Sequence, residues 1–300
     1  MFFLSELDHK KLINQILPKA RDVGVSEELR GWNWHKAPLK PYYDDVRIPM
    51  YSVCSKYCPT NRDVFVNLVK RVKGEANRSV ILGSAIHETV RTALRSYMDE
   101  NPLKFHEWYD GVLDGKGVKN RDEEVKLRSE TAWRFTQVMS ESRFMEGVSR
   151  QPYASRRDVM ATALPFLVEH RISGELLGLS GLLSIDCYDY MRGIVFDMKV
   201  SEEARDWYSL YPTGYALVLE SVYEIPVNVG CTVYTRFRGG NVSIVSDLFF
   251  INDDLRSWWV EERDGKLQMV AQKKDPGFPN VCYPDCMYRR ECGVDEAPRG

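Results

Sequence analysis

Five stretches in the second half of the chain read as strands, either as short apolar runs or by alternation of apolar and polar residues. They are Leu164–Glu169, Leu182–Tyr188, Gly193–Val200, Val227–Phe237 and Val242–Phe250. The second and third are joined by a short turn at Asp189–Arg192 and read as a hairpin. Between the third and fourth, Leu210, Tyr215, Leu217, Val218 and Val222 recur at helical spacing over about 206–223. A last helix is predicted from Asp253 to Gln272 and stops at Lys273-Lys274-Asp275-Pro276-Gly277. The first half is helical instead. Val64, Val66, Leu68, Val69 and Val72 give Pro59–Val72 an apolar face, and Ile86, Val90, Leu94 and Tyr97 do the same for Ser79–Tyr97. Residues 120–148 form a long mixed-charge helical stretch. The first fifty residues read as irregular: Trp32 and Trp34 alternate with small polar residues, and Pro38, Pro41 and Pro49 follow, which suggests an arm packed by aromatics.

Helices followed by a hairpin, a helix and more strands predict an α/β chain with a mixed central sheet flanked by helices. Four regions follow: an N-terminal arm over 1–60, a helical region over 61–160, a sheet-bearing core over 161–275, and a terminal cysteine segment over 276–300. No internal repeat and no low-complexity tract interrupts them.

Composition narrows the class. With 41 Lys+Arg against 43 Asp+Glu, the formal net charge is −2, and hydrophobic residues make up 44% of 300 positions. That excludes a disordered chain. Residues 1–150 carry a net +4 and the remainder −6, so neither half is basic enough to announce a nucleic-acid-coating protein. The start, Met1-Phe2-Phe3-Leu4-Ser5-Glu6, lacks the basic n-region of a secretory signal. No apolar run reaches the ~18–20 residues of a membrane span. A cytoplasmic protein without membrane partners is expected.

Chemistry concentrates in two places. In the hairpin, the first strand carries Asp186 and the second carries Asp197-Met198-Lys199. Alternation puts Asp197 and Lys199 on one face and Phe196, Met198 and Val200 on the other. Charged groups on an otherwise apolar strand need partners, a metal or water. Two carboxylates on a hard divalent cation, with a lysine beside them to orient a water, would meet that need and suit phosphodiester hydrolysis. The alternative is a surface hairpin with an ordinary Asp–Lys pair. His87, in Gly83-Ser84-Ala85-Ile86-His87-Glu88, becomes a third ligand if its helix packs on the hairpin; Glu169 is a further acid near the same sheet.

The second place is Cys282, Cys286 and Cys292, a C-x3-C-x5-C run beside prolines and a glycine. Three clustered thiols suggest metal ligation, and a tetrahedral site needs a fourth. Cys58 in Tyr57-Cys58-Pro59 or Cys54 would supply it. Spacing leaves zinc and a 4Fe–4S cluster both open. Cys187 and Cys231 lie inside apolar strands and read as core thiols.

Taken in order, Cys58, His87, Asp186, Asp197-Met198-Lys199, Tyr215 and the three terminal cysteines resemble the pattern of RecB-type (PD-(D/E)XK) nucleases with an iron–sulfur cluster. Within these the chain resembles the CRISPR-associated protein four family in its archaeal subtype I-A variant, to which Glu28-Leu29-Arg30-Gly31-Trp32-Asn33-Trp34 and Tyr57-Cys58-Pro59-Thr60-Asn61-Arg62-Asp63 are also similar. The resemblance covers about 28–292. It implies a RecB-like core with His87, Asp186, Asp197 and the Met198 carbonyl as ligands of Mg²⁺ or Mn²⁺ and Lys199 as the catalytic lysine. It implies that Cys58, Cys282, Cys286 and Cys292 hold a 4Fe–4S cluster and that Tyr215 binds DNA. The implied activity is exonucleolytic cleavage, mainly of single-stranded DNA, in prespacer processing during CRISPR adaptation. The implied partners are the adaptation integrase proteins one and two. The strand would pass basic residues of the helical region such as Lys70, Arg71, Lys73 and Arg78. The sequence departs from the family's Gln-x3-Tyr motif, because Tyr211 stands where the glutamine belongs. That departure motivates an alternative, a non-catalytic DNA-binding or assembly subunit stabilised by its metal cluster.

Overall fold

The computed structural model describes residues 1–99, 101, 103–112 and 122–292. The helices are α1 (Glu6–Lys11), α2 (Leu17–Val23), α3 (Met50–Cys54), α4 (Arg62–Leu68), α5 (Arg78–Met98), α6 (Phe105–Val112), α7 (Glu123–Arg150), α8 (Arg156–Ala163), α9 (Leu210–Tyr223) and α10 (Asp253–Gln272). A π-helical turn, Leu12–Ile16, joins α1 to α2. The strands are β1 (Phe166–Ile172), β2 (Leu183–Asp189), β3 (Ile194–Lys199), β4 (Val229–Arg238) and β5 (Asn241–Phe250).

The strands form one five-stranded sheet in the order β1-β2-β3-β4-β5. All neighbours are antiparallel except β3 and β4, which run parallel with α9 as their crossover. Helices cover both faces, giving the α/β class. On one face Phe166, Cys187, Phe196, Met198, Cys231 and Val233 meet Ile86 and Val90 of α5, Phe144 of α7, Met160 of α8, and Leu12 and Ile16 of the first helical stretch. On the other, Ile185, Val195 and Tyr234 meet Val53 of α3, Leu217 of α9 and Trp259 of α10. Cys187 and Cys231 are fully buried core thiols, as their apolar strands predict.

Side-chain caps set several helix starts. Asn77 accepts from the Val80 amide, Asp122 from Glu124, Ser155 from Asp158 and Asn252 from Leu255, satisfying amides that have no partner in the first turn.

Three readings change. The first fifty residues are irregular only in part: Ser5 closes a capping box with Asp8 and a helical run follows to Val23, while 24–49 hold turns and two three-residue 3-10 helices. Met1, Phe2, Phe3 and Leu4 are buried in the core. The helix read over Pro59–Val72 shortens to Arg62–Leu68, because Asn61 (φ +59°) and Arg71 (φ +58°) are left-handed at its two ends. α3 was not signalled, and α6 and α8 were covered only by the general helical reading of 61–160. The long helix begins at Glu123; residues 120 and 121 of the predicted stretch lie outside the described residues, as do 293–300 of the cysteine segment.

A buried ionic knot holds the Trp32 region onto the core. Glu220 of α9 is fully buried and receives Arg256 of α10 at 2.7 and 2.9 Å, Arg30 at 2.9 Å, and the amides of Gly31 and Val227 at 2.8 and 3.0 Å. Gly31 lies so close to α9 that a Cβ there would stand 2.2 Å from the Leu217 carbonyl, so only glycine fits. The Arg30-Gly31 step is therefore a docking device for the chain itself.

Candidate active site and cysteine segment

Asp186 and Asp197 face each other where two ladders stop. β2 and β3 pair through Asp189–Ile194, Tyr188–Val195 and Cys187–Phe196; the next rung would be Asp186 against Asp197 and is not formed. β1 and β2 pair on both sides of Glu169 and Asp186 but not at them, and Glu169 takes φ +49°. The alternation inverts there. Val168 and Cys187 belong to one core, whereas Ile172, Leu183 and Ile185 belong to the other. This break releases Asp186 from the pleat.

The freed carboxylate is used at once. Asp186 Oδ2 accepts the Met198 amide at 2.8 Å and stands 3.4 Å from His87 Nδ1. α5 presents His87 beside Ile86, which packs under the sheet. Burial alone raises the Asp186 pKa, but His87, the Met198 amide and Lys199 outweigh it and hold the group below the usual carboxylate range. Burial likewise pulls His87 down, and Asp186 more than reverses it, so the imidazole is raised. Asp197 behaves oppositely. Burial, with Asp186 opposite, pushes it up to about 6 against the pull of Lys199.

Lys199 Nζ is 2.9 Å from Asp197 Oδ2. The contact is an ion pair out of hydrogen-bond alignment, since that buried oxygen has no hydrogen-bond donor. The ammonium also sits 3.4 Å from the centre of the Tyr211 ring and 5.4 Å from that of Tyr208. Tyr211 is the residue at the glutamine's place, and it is buried. Tyr215, one turn on, is half-buried toward Asp186 and Asp197; burial first, then these acids, hold its phenol protonated. Gly214 makes room beside it: a Cβ there would meet Trp259 Nε1 at 2.3 Å. Glu169 accepts from Ser184 Oγ and stays at the rim.

The sequence-predicted His87, Asp186, Asp197, Met198, Lys199 and Tyr215 thus converge, on β2, β3, α5 and α9. Among the described residues no three His, Cys, Asp or Glu side chains stand close enough to grip an ion as they are. The donor set nevertheless fits a hard cation: two facing carboxylates, one with a buried oxygen lacking a donor. Tyr211 was read only as a departure, and its contact with Lys199 has no signature at the level of spacing.

The cysteine segment docks on residues 58–77. Arg62, buried, reaches Asp275 Oδ1 at 2.5 Å and lies 3.9 Å over the Phe278 ring. The Glu75 amide donates to the Met287 carbonyl at 3.1 Å and Asn77 Nδ2 to that of Asp285 at 2.5 Å. These contacts bring Cys58 near Cys282 and Cys286. Cys282 is pushed up by burial and by Cys292 and Cys58, with Cys286 in hydrogen-bonding reach; Cys286 is pushed up to about 11 by burial, with Cys282 and Cys58 adding to it. Cys54 is elsewhere. It is fully buried near Lys266, Lys199 and Trp259, and Lys266 Nζ caps its helix by donating to the Val53 and Ser55 carbonyls at 2.6 and 3.1 Å. Cys282 is thus the thiol the other three surround, although among the described residues no three of them stand close enough to grip a metal as they are; four thiols gathered in one region are the donor type of a thiolate-bound metal.

The expected basic strand path changes. Lys70 pairs with Glu291, and Arg78 with Asp122 and Glu124; Lys70, Arg71 and Lys73 lie beyond the end of α4, so they are not a helix face. No helix among the described residues is long and apolar enough to cross a membrane.

The family model for the CRISPR-associated exonuclease Csa1 matches residues 1–295. The chain is 29% identical over 289 residues to the CRISPR-associated exonuclease Csa1 of Saccharolobus solfataricus, covering 92% of this chain and 94% of that one. It is 23% identical over 289 residues to the protein of the same name from Thermoproteus tenax, covering 96% and 99%. With nearly its whole length matched, the chain belongs to the CRISPR-associated exonuclease Csa1 family.

Proposed function

We propose that this chain is a cytoplasmic Mg²⁺- or Mn²⁺-dependent DNA exonuclease with a RecB-like core, preferring single strands and processing prespacers in CRISPR adaptation. The observation that carries the reading is the pair Asp186–Asp197, facing each other on broken ladders with Lys199 at 2.9 Å and a buried Asp197 oxygen lacking a donor. The names of the two relatives, both CRISPR-associated exonucleases, support it. Integrase proteins one and two of the adaptation machinery are the proposed partners.

His87, Asp186, Asp197 and the Met198 carbonyl would hold the cation. When bound, it polarises the phosphate and lowers the pKa of a water. Lys199, steered by Asp197 and the Tyr211 ring, would orient that water and stabilise charge developing on the phosphate. Tyr215 would engage the DNA. Cys58, Cys282, Cys286 and Cys292 would hold a 4Fe–4S cluster that ties the terminal segment to residues 58–77.

The test is cleavage of 5′- and 3′-labelled single-stranded DNA with Mn²⁺ by wild type, Asp197→Ala and Lys199→Ala. Loss in both variants supports the enzyme; equal background from all three sinks it. Tyr211 in the glutamine's place favours a second reading, an assembly subunit that binds DNA without cutting it, and DNA binding with no cleavage would select it.

A further inference from the structure

Between the acid pair and the cysteine segment, three separate stretches of chain bring aromatic rings together around one arginine. Tyr57 lies 4.8 Å from Trp207 at 83° and 4.9 Å from Tyr283 at 39°. Its hydroxyl is 3.0 Å from that of Tyr208, whose ring is 4.4 Å from Trp207. The Arg205 guanidinium stands 5.1 Å from the Tyr57 ring, 5.5 Å from Tyr283 and 6.0 Å from Trp207. Tyr57, Arg205, Trp207 and Tyr283 are all half-buried, each with an edge in solvent. The group is continuous with the acid site, because Tyr208 also lies beneath Lys199.

The arginine is only partly used. Nη2 pairs with Glu203 at 3.0 Å, a carboxylate that is itself 73% exposed, so the pair is weak in water. Its buried Nε has no hydrogen-bond partner. A planar cation with a partly exposed edge, framed by indole and phenol rings, suits a phosphate flanked by unpaired bases. The need for such a group is local. Asp186 and Asp197 repel a polyanion, and a cation beside them offsets that repulsion.

We propose that Arg205, Trp207 and Tyr283 hold the unpaired nucleotides of single-stranded DNA next to the scissile position, with bases stacked on the two rings and a phosphate on the guanidinium. The proposal rests on the nuclease reading for its substrate but concerns binding rather than hydrolysis. Ring stacking makes the grip indifferent to base identity, as trimming of arbitrary sequences requires.

The experiment is fluorescence anisotropy of labelled oligothymidine and of an abasic strand of equal length, with the full chain in EDTA. Trp207→Leu and Tyr283→Leu should each weaken oligothymidine binding by about 5- to 150-fold, leave the abasic strand unaffected, and be rescued by Trp207→Phe and Tyr283→Phe. Arg205→Gln should weaken both strands and lower the salt slope by about 1. Folded variants with wild-type affinity for oligothymidine, or an equal loss on the abasic strand, overturn the platform. Cleavage by wild type in Mn²⁺ separates the two readings: cleavage with unaffected variant binding removes only the platform. Variant-sensitive binding with no cleavage removes only the enzyme. A wild type that neither binds nor cleaves removes both.

Discussion

The Lys199 ammonium lies 3.4 Å from the centre of the Tyr211 ring while its other side meets Asp197 at 2.9 Å. The lysine is therefore fixed from two directions, by a carboxylate and by the electron-rich face of an aromatic. The ring stands where a glutamine would leave the ammonium without that support.

Tyr211→Phe keeps the ring and should retain kcat. Tyr211→Leu removes a contact of about 0.5–2 kcal/mol, so kcat should fall about 2- to 30-fold with KM little changed. Steady-state cleavage of labelled oligonucleotide measures the split. A fall in KM affinity with kcat intact would assign Tyr211 to substrate binding instead.

Asp197→Asn should abolish cleavage and yet stabilise the metal-free protein. Asp197 is buried and its pKa rises from 3.8 to about 6, so folding disfavours the ionised form in spite of Lys199. An acid raised on folding contributes stability below its unfolded pKa and loses it as pH climbs through the folded value. Between about pH 4 and 6, wild type in EDTA should lose stability relative to Asp197→Asn, ending on the order of 1–3 kcal/mol below it at pH 7. Chemical denaturation at several pH values checks this; parallel curves would refute it.

Cys58→Ser should strip metal from anaerobically purified protein, with loss of absorption near about 400 nm. Cys54→Ala should keep the metal and cost about 1 kcal/mol as a small core truncation, because its thiol is fully buried away from the other cysteines. Elemental analysis of both variants decides it, and one bound zinc in a colourless wild type would replace the iron–sulfur assignment.

Glu220→Ala should destabilise the fold by about 3–5 kcal/mol, since it leaves Arg256 buried and unpaired. Gly31→Ala should also destabilise, by forcing the docked arm off α9. Thermal melts measure both, and a Glu220→Met, Arg256→Met double variant should recover part of the loss.

Runs of sufficient length located all five strands and the four longest helices, even β3, β4 and α9, which are buried on nearly every side. Periodicity gave no separate element for α3, α6 and α8, which are shorter than the roughly 11–18 residues over which periodicity is read. It also misjudged the start of the chain: tryptophans and prolines dominated the reading, while Ser5 and Asp8, an acidic variant of the capping box, were passed over. In the site, alternation correctly placed Asp197 and Lys199 opposite Phe196 and Met198. It did not foresee that the pleat inverts at Asp186, because a left-handed Glu169 across the ladder has no marker in composition. The resemblance names Cys58 over Cys54; the docking contacts of Arg62 and Asn77, which link distant stretches, leave no trace in spacing.

Those docking contacts also impose an order of events. A ribosome releases residues 58–77 early, whereas 275–292 emerge after every strand of the sheet. The surface that awaits the terminal segment must therefore stay uncovered throughout synthesis, with Cys58 on it and its three companions still unmade. On the proposed cluster, metal loading would be the closing act of maturation, and a nascent chain stalled after α10 would have an assembled sheet but no terminal segment to dock on residues 58–77.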